Sequence, residues 1–442
     1  MAWWCMEAAA VPRQCGGATR CGADGVVSVK VRQSPMTSLG RGRTPKGKGR
    51  RRGYRRCTGA VAAGHQRGGA VAIVDMDLGR SWQWPYVTRI QLGNPPKNFS
   101  VLIDTASIMS WVSCRTPGGS SVSSLPGIFD PRSSSTSSLI SCSDKTCQAM
   151  IPDLAVCSKS SDSCEWHVLY GSGVAVYSNT TGYYISDVAH LEILNAVGHT
   201  SSAPATIIFG CSTLRSGELA EAKFDGILTF APHQMSFSSQ LHSQGLIPGV
   251  FSLCLKSAYW GGILVFGEIL EEGIVYTSLL PSPNFFQLYL ESIAVNSQEL
   301  PIEPSFFRPS CKHVTIADSG TSLTYLADGA YDPFINAITA AVSPHVRLVK
   351  NSDRCFVTSI NIDLSFPTLT LHFAGGAVMK LKPNNYLRSV SPKEDEVIYC
   401  IAWKRNYGEQ ITVLGDIVLK DKIIVHDLEN MLFGWMDFDC KF

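Results

Sequence analysis

Val101-Leu102-Ile103-Asp104-Thr105-Ala106-Ser107 has an echo 214 positions later, Val314-Thr315-Ile316-Ala317-Asp318-Ser319-Gly320-Thr321. In both stretches apolar β-formers lead into a carboxylate, and small or hydroxyl-bearing residues follow it. The pattern predicts two strand ends that each hand one Asp to a shared site. Two carboxylates forced together cannot both ionise cheaply, so one holds a proton while the other acts as a base. Such a pair suits water-mediated hydrolysis of a peptide bond. A single D-[ST]-[GA] tripeptide carries little weight; a repeat with matched flanks carries far more.

The flanks of Asp104 predict a hairpin. Thr88, Ile90 and Leu92 alternate with Arg89 and Gln91, a Gly93-Asn94-Pro95-Pro96 turn follows, and Phe99, Val101 and Ile103 alternate back. Further strands are expected at 205–210, 263–266, 287–295, 314–317, 369–373 and 411–414. One segment is helical by its 3.6-residue period: Tyr331, Phe334, Ile335, Ile338, Ala341 and Val342, with Asp328 as the cap and Pro333 in the first turn. A second repeat lies downstream of each Asp, Phe224-Asp225-Gly226-Ile227-Leu228 and Val413-Leu414-Gly415-Asp416-Ile417. Its glycine permits two backbones to cross closely beneath a catalytic turn. Residues 118–143 hold eleven serines and read as a solvated surface loop. The fold class is therefore mainly β, in two lobes with a few short helices. A basic, disordered leader is expected over 1–84, an N-terminal lobe over 85–275 and a C-terminal lobe over 276–442, with Gly273 to Pro283 linking the halves.

A chain of 442 residues that is 45% hydrophobic can bury a large core. No apolar run approaches the roughly 20 residues that span a bilayer. The net charge of +2 conceals an uneven split: residues 1–80 carry 15 Lys/Arg against 4 Asp/Glu, and the rest carry 23 against 32. Residues 41–56 are too basic and glycine-rich to pack a core and read as a disordered tail. Only this leader offers a contact for nucleic acid. Gly42 to Lys48 spells G-x-x-x-x-G-K, but Gly49 replaces the hydroxyl that a phosphate loop needs.

Four of the fifteen cysteines lie in the leader and eleven in the body. Spacings such as Cys142-x4-Cys147 and Cys157-x6-Cys164 lack the paired C-x2-C of zinc sites, so disulfides formed in an oxidising compartment are expected. Cys355 with Cys400, and Cys211 with Cys440, are the expected pairs. Sequons at Asn98 and Asn179 are glycosylation candidates that fit a secretory route. Met1 to Val11 makes a poor signal-peptide core because it is short and contains Glu7. No G-x-S-x-G or H-E-x-x-H occurs, which argues against serine-hydrolase and zinc-protease chemistry.

From about Tyr86 to Cys440 the chain resembles the pepsin-like aspartic proteases, specifically their atypical plant branch. YVTRIQLGNPPKNF, FDPRSSSTSSLISCSD, IIFGCS, GGILVFGEILEEGIVY, SIAVN, AYDPFINAITAAVS, FAGGAVMKLKP and VLGDIVLKDKIIVHDLEN carry the likeness. The resemblance implies a bilobal β fold with the cleft between lobes, and Asp104 and Asp318 as the catalytic pair. It implies that Ser107 and Thr321 bond the outer carboxylate oxygens, that Thr105 and Ser319 cross-bond beneath the pair, and that Gly320 completes the second motif. Tyr170, followed by Gly171, matches the flap tyrosine. Trp111, seven residues past Asp104, matches the Trp bonded to it. No metal or organic cofactor is required, the substrate is a polypeptide, and a monomer in the secretory pathway, extracellular or vacuolar, is expected.

The chain departs from the family pattern at Ala106, where DTG or DSG would place glycine, and at Thr229 and Ala231, also usually glycines. Its flap reads YGSGVAVYSNTTGYY, and the insert after Cys114 is shortened. Two functional readings follow: an acid endopeptidase, or a pseudoprotease that binds a polypeptide or inhibits another protein through the same cleft.

Overall fold

The first hairpin forms where its alternation predicts, with strand Val87–Leu92 antiparallel to Lys97–Asp104. Thr88, Ile90 and Leu92 point inward, Gln91 is exposed, and Phe99, Val101 and Ile103 are buried. This computed structural model describes residues 26–28, 70–74 and 86–440. The last span excludes 116–126, 151–152, 159, 172–177, 195–199, 258–260, 268, 270, 311, 351–353 and 393–396.

The protein is mainly β and bilobal. The N-terminal lobe is a ten-stranded sheet whose long members are Ser178–Leu194 and Thr200–Arg215. The C-terminal lobe holds one five-stranded and two four-stranded sheets. Between the lobes runs a six-stranded sheet drawn from both halves. In it Val250–Leu255 lies between Gly262–Phe266 and Lys422–Asp427, which continues to Leu432–Asp437 and Val275–Ser278. Apolar side chains fill all six positions of Val250–Leu255 except Ser252, as expected for a strand covered on both faces.

Both lobes use one device under their Asp. Val101 to Asp104 pairs in parallel with Gly226–Thr229, and Val314–Ala317 pairs in parallel with Ile411–Leu414. The glycines of the second repeat are required by contact. A Cβ at Gly226 would stand 2.0 Å from the Trp111 carbonyl oxygen, and one at Gly415 would stand 2.1 Å from that of Leu323. The close crossing expected from sequence is thus present twice.

Three expectations are corrected. Asp328 does not cap the helix; it is the first residue of Asp328–Ala341, preceded by Ala327. Its carboxylate instead accepts from Arg405 Nη1 at 3.0 Å and from the Gly408 N–H at 3.0 Å. The leader is not wholly without regular structure, because Ala70–Val74 adds an edge strand to Gly262–Phe266 and Val26–Ser28 pairs with Ser178–Leu194. The apolar β-branched run AVAIV suits that role. The remaining leader, including 41–56, lies outside the described residues.

The third correction concerns the cysteines. Cys211 pairs with Cys114 and Cys440 with Cys254, so the expected Cys211–Cys440 bond does not form. Trp111–Ser113 runs parallel beside Gly210 to Ser212, which sets Cys114 and Cys211 on adjacent strands with Cα atoms 5.2 Å apart. Cys355 does bond Cys400, and Cys142–Cys157 and Cys147–Cys164 complete five disulfides among the described residues.

Candidate active site

Asp104 ends its strand and is buried, while the chain turns through Thr105 and Ala106. Its Oδ1 accepts from the Ala106 and Ser107 N–H groups, each at 2.8 Å, and its Oδ2 accepts from the Ser107 hydroxyl at 2.5 Å. Asp318 repeats the arrangement. Its Oδ1 accepts from the Gly320 N–H at 2.7 Å and its Oδ2 from the Thr321 hydroxyl at 2.5 Å. These bonds to charged oxygens are of the strong, short kind and fix each carboxylate's plane.

Beneath the acids the two turns are laced together. The Ser319 N–H donates to Thr105 Oγ1 at 2.9 Å, the Thr105 hydroxyl donates to the Ala317 carbonyl at 3.4 Å, and the Ser319 hydroxyl donates to the Ile103 carbonyl at 3.0 Å. All three are buried and join residues more than 200 positions apart. Above, the Asp104 carboxylate lies against the opposite turn, since a Cβ at Gly320 would fall 2.5 Å from Asp104 Cγ.

Burial raises the Asp104 carboxyl above the ordinary carboxylate range against the pull of its hydrogen bonds. Burial first, and the Asp104 charge second, push Asp318 up to about 7. One proton is therefore held by the pair well above the pH at which a free carboxylate would lose it. A third acid stands nearby. Asp416 is pushed up to about 8 by burial, and the Asp318 charge adds to the rise. Its N–H donates to the Thr321 carbonyl at 2.7 Å.

The hairpin Ser163–Tyr170 with Ser178–Leu194 brings Tyr170 to the same place. Trp111 Nε1–H donates to the Tyr170 oxygen at 2.9 Å. Burial and the Asp104 charge raise the phenol's pKa, while hydrogen bonds with Trp111 and Ser107 oppose the rise. Gly171 follows at an exposed position, and the altered flap tip at 172–177 lies outside the described residues. Thus Asp104, Asp318, Thr105, Ser107, Ser319, Gly320, Thr321, Trp111 and Tyr170 come together. The sequons lie elsewhere: Asn98 is exposed and Asn179 is half-buried, both on strands.

Two family models match the chain, one described as Xylanase inhibitor N-terminal over residues 86–268 and one as Xylanase inhibitor C-terminal over 285–437. Aspartic proteinase 36 of Arabidopsis thaliana is 32% identical over 80% of this chain and 74% of its own length. Aspartic proteinase 39 of the same plant is 30% identical over 84% and 78%. The chain belongs to the pepsin-like plant aspartic proteinase family. Nepenthesin-2 of Nepenthes gracilis is also similar, at 28% identity over 80% of this chain and 78% of its own length. Among solved structures, basic 7S globulin from soybean superposes with a TM-score of 0.64 at 17% identity. It covers 83% of this chain and 96% of the globulin, a likeness of fold.

Against the family pattern, two departures are absorbed locally. Thr229 places its hydroxyl 3.0 Å from Ser110 Oγ, and its N–H donates to the same oxygen at 3.0 Å. Ala106 does not adopt positive φ, and its N–H still serves Asp104. Its methyl therefore brings none of the strain that a left-handed backbone would impose. Among the described residues no group of three His, Cys, Asp or Glu side chains could hold a metal ion, and no helix is long and apolar enough to cross a membrane.

Sequence reading missed Asp416 as part of the site and missed Arg215 altogether. Asp416 was legible only as a member of the second repeat. Nothing in the local sequence marks Arg215, because its neighbours are brought to it by the fold.

Proposed function

We propose that this protein is an aspartic endopeptidase working at acid pH through Asp104 and Asp318. The observation that carries the reading is the coupling of two buried carboxylates, each fixed from outside by its own hydroxyl and N–H groups. In the working state one of the pair is ionised and the other protonated. The ionised carboxylate takes a proton from a water held between them as that water attacks the scissile carbonyl. The protonated carboxyl gives its proton to the carbonyl oxygen, and a tetrahedral gem-diol results without a covalent bond to the protein. The carboxyl that took the water's proton then gives it to the leaving nitrogen as the C–N bond breaks. One gem-diol hydroxyl returns its proton to the other carboxylate, which frees acid and amine and restores the singly protonated pair. Tyr170 closes over a bound polypeptide. Five disulfides support folding in the secretory pathway, with Asn98 the better placed glycosylation site.

The test is hydrolysis of a denatured protein at pH 3–5 by disulfide-intact material, with and without pepstatin. Pepstatin-sensitive cleavage is the expected result; none from folded protein overturns the reading. The match to models described as xylanase inhibitor favours one alternative, a cleft protein that binds and inhibits another enzyme. Xylanase inhibition by the same inactive material would establish it.

A further inference from the structure

Arg215 closes the strand Thr200–Arg215 and pairs across to Thr180, two residues beyond the start of the flap's return strand at Ser178. Its guanidinium carbon lies 5.5 Å from the centroid of the Trp111 ring and 5.5 Å from that of Phe224. Nη1 donates to Ser113 Oγ at 3.2 Å and to the Phe224 carbonyl at 3.0 Å, and Nη2 donates to the Ala222 carbonyl at 3.3 Å. The Nε is fully covered and has no hydrogen-bond partner among the described residues. Burial lowers the guanidinium pKa to about 10, so the cation is retained at every working pH, with Asp225 as its nearest counter-charge. Trp166 packs against Trp111 as well, its ring centroid 6.4 Å away.

A cation over an indole draws electron density from the ring and makes its N–H a stronger donor. That N–H is the one bonded to Tyr170. We infer that Arg215 is a positioning residue for the flap: its charge strengthens the Trp111–Tyr170 bond while its backbone pairing anchors the return strand. Tyr170 in turn stands beside Ser107 and the Asp104 carboxylate. The inference rests on the proposed cleft chemistry only for its effect on rate; the flap geometry stands apart from it.

The test uses full-length protein carrying ¹⁵N-labelled tryptophan, with the Trp111 indole N–H resonance assigned by its loss in Trp111→Phe. In Arg215→Met this resonance is expected to move upfield and exchange faster with solvent, while Arg215→Lys keeps it near the wild-type position. In kinetics Arg215→Met should lose about tenfold in kcat/KM, Arg215→Lys should recover to within about threefold, and Arg215→Met should add little to Trp111→Phe. A purely structural role predicts instead that Lys fails as Met does and that losses add in the double variant; either result overturns the inference. So does an unmoved resonance in Arg215→Met, or, should that variant not fold, a displaced one in Arg215→Lys. Wild type without proteolysis but with these resonance shifts would sink the endopeptidase reading and leave this one standing.

Discussion

The two acid-bearing turns are copies in topology but not in tolerance. Asp104-Thr105-Ala106-Ser107 carries a methyl where Asp318-Ser319-Gly320-Thr321 has none, and the space around the two positions differs. At Gly320 a Cβ would collide with the Asp104 carboxyl at 2.5 Å, whereas Ala106 is accommodated with its N–H bond intact. The lacing below is also uneven: each hydroxyl donates to the carbonyl before the opposite Asp, at 3.4 Å from Thr105 and 3.0 Å from Ser319, but among the described residues only Thr105 Oγ1 also accepts an N–H from the opposite turn. Among the described residues only the second turn has another acid, the half-buried Asp416, bonded to its backbone. The motif's glycine is thus a demand of packing in one turn and dispensable in the other, which sequence pattern alone does not reveal.

The equality of the two acids in the chemistry is broken most severely by Asp104→Asn or Asp318→Asn. Each should lower kcat on the order of 10³-fold or more, read as initial rates on a peptide substrate, because the pair shares one proton. Unequal losses would mean that the turns do not work as a unit. Next in size, Gly320→Ala should cost on the order of 100-fold in kcat by displacing Asp104. Near-wild-type activity would show that the Asp104 side chain can yield.

A smaller effect sharpens the contrast through Asp416. Asp318 and Asp416 both have folded-state pKa values raised above those of the unfolded chain, to about 7 and about 8. Their contribution to stability is therefore complete below about pH 4 and is lost as pH rises through 7 to 8. The melting temperature should fall by roughly 5 °C or more between pH 4 and pH 8. Asp416→Asn should flatten that fall by removing the group that titrates near 8, and should leave the alkaline limb of the rate profile in place, because Asp416 is still protonated where Asp318 loses its proton. A melting profile unchanged by Asp416→Asn would count against a raised Asp416 carboxyl. The smallest change is expected from Ala106→Gly, less than about threefold in kcat/KM. A tenfold gain would mean that the methyl impairs the first turn after all.

Much of this was legible along the chain. Strands 87–92 and 369–373 follow from alternation, because each has one face on a core, whereas 314–317 and 411–414 follow from short runs of apolar and β-branched residues that are buried at three consecutive positions. The twin Asp motifs were visible because small residues must follow each acid. What stayed hidden depends on which strand edges meet. Cys114 finds Cys211 because 111–113 lies parallel beside 210–212, and no spacing rule encodes that adjacency. Arg215 is invisible for the same reason: Trp111 and Phe224 reach it only in the folded sheet. Asp328 looked like a cap because its position is right, yet Arg405, 77 residues away, competes for the same oxygens.

The central sheet has a consequence for how the molecule comes apart. Val250–Leu255 is hydrogen-bonded to Lys422–Asp427, and Cys254 is covalently joined to Cys440 across 186 positions. A cut between Phe266 and Val275 would sever the peptide connection between lobes without releasing either. The two pieces would migrate together until a reductant parted them, and each, once alone, would present a raw strand edge to its neighbours.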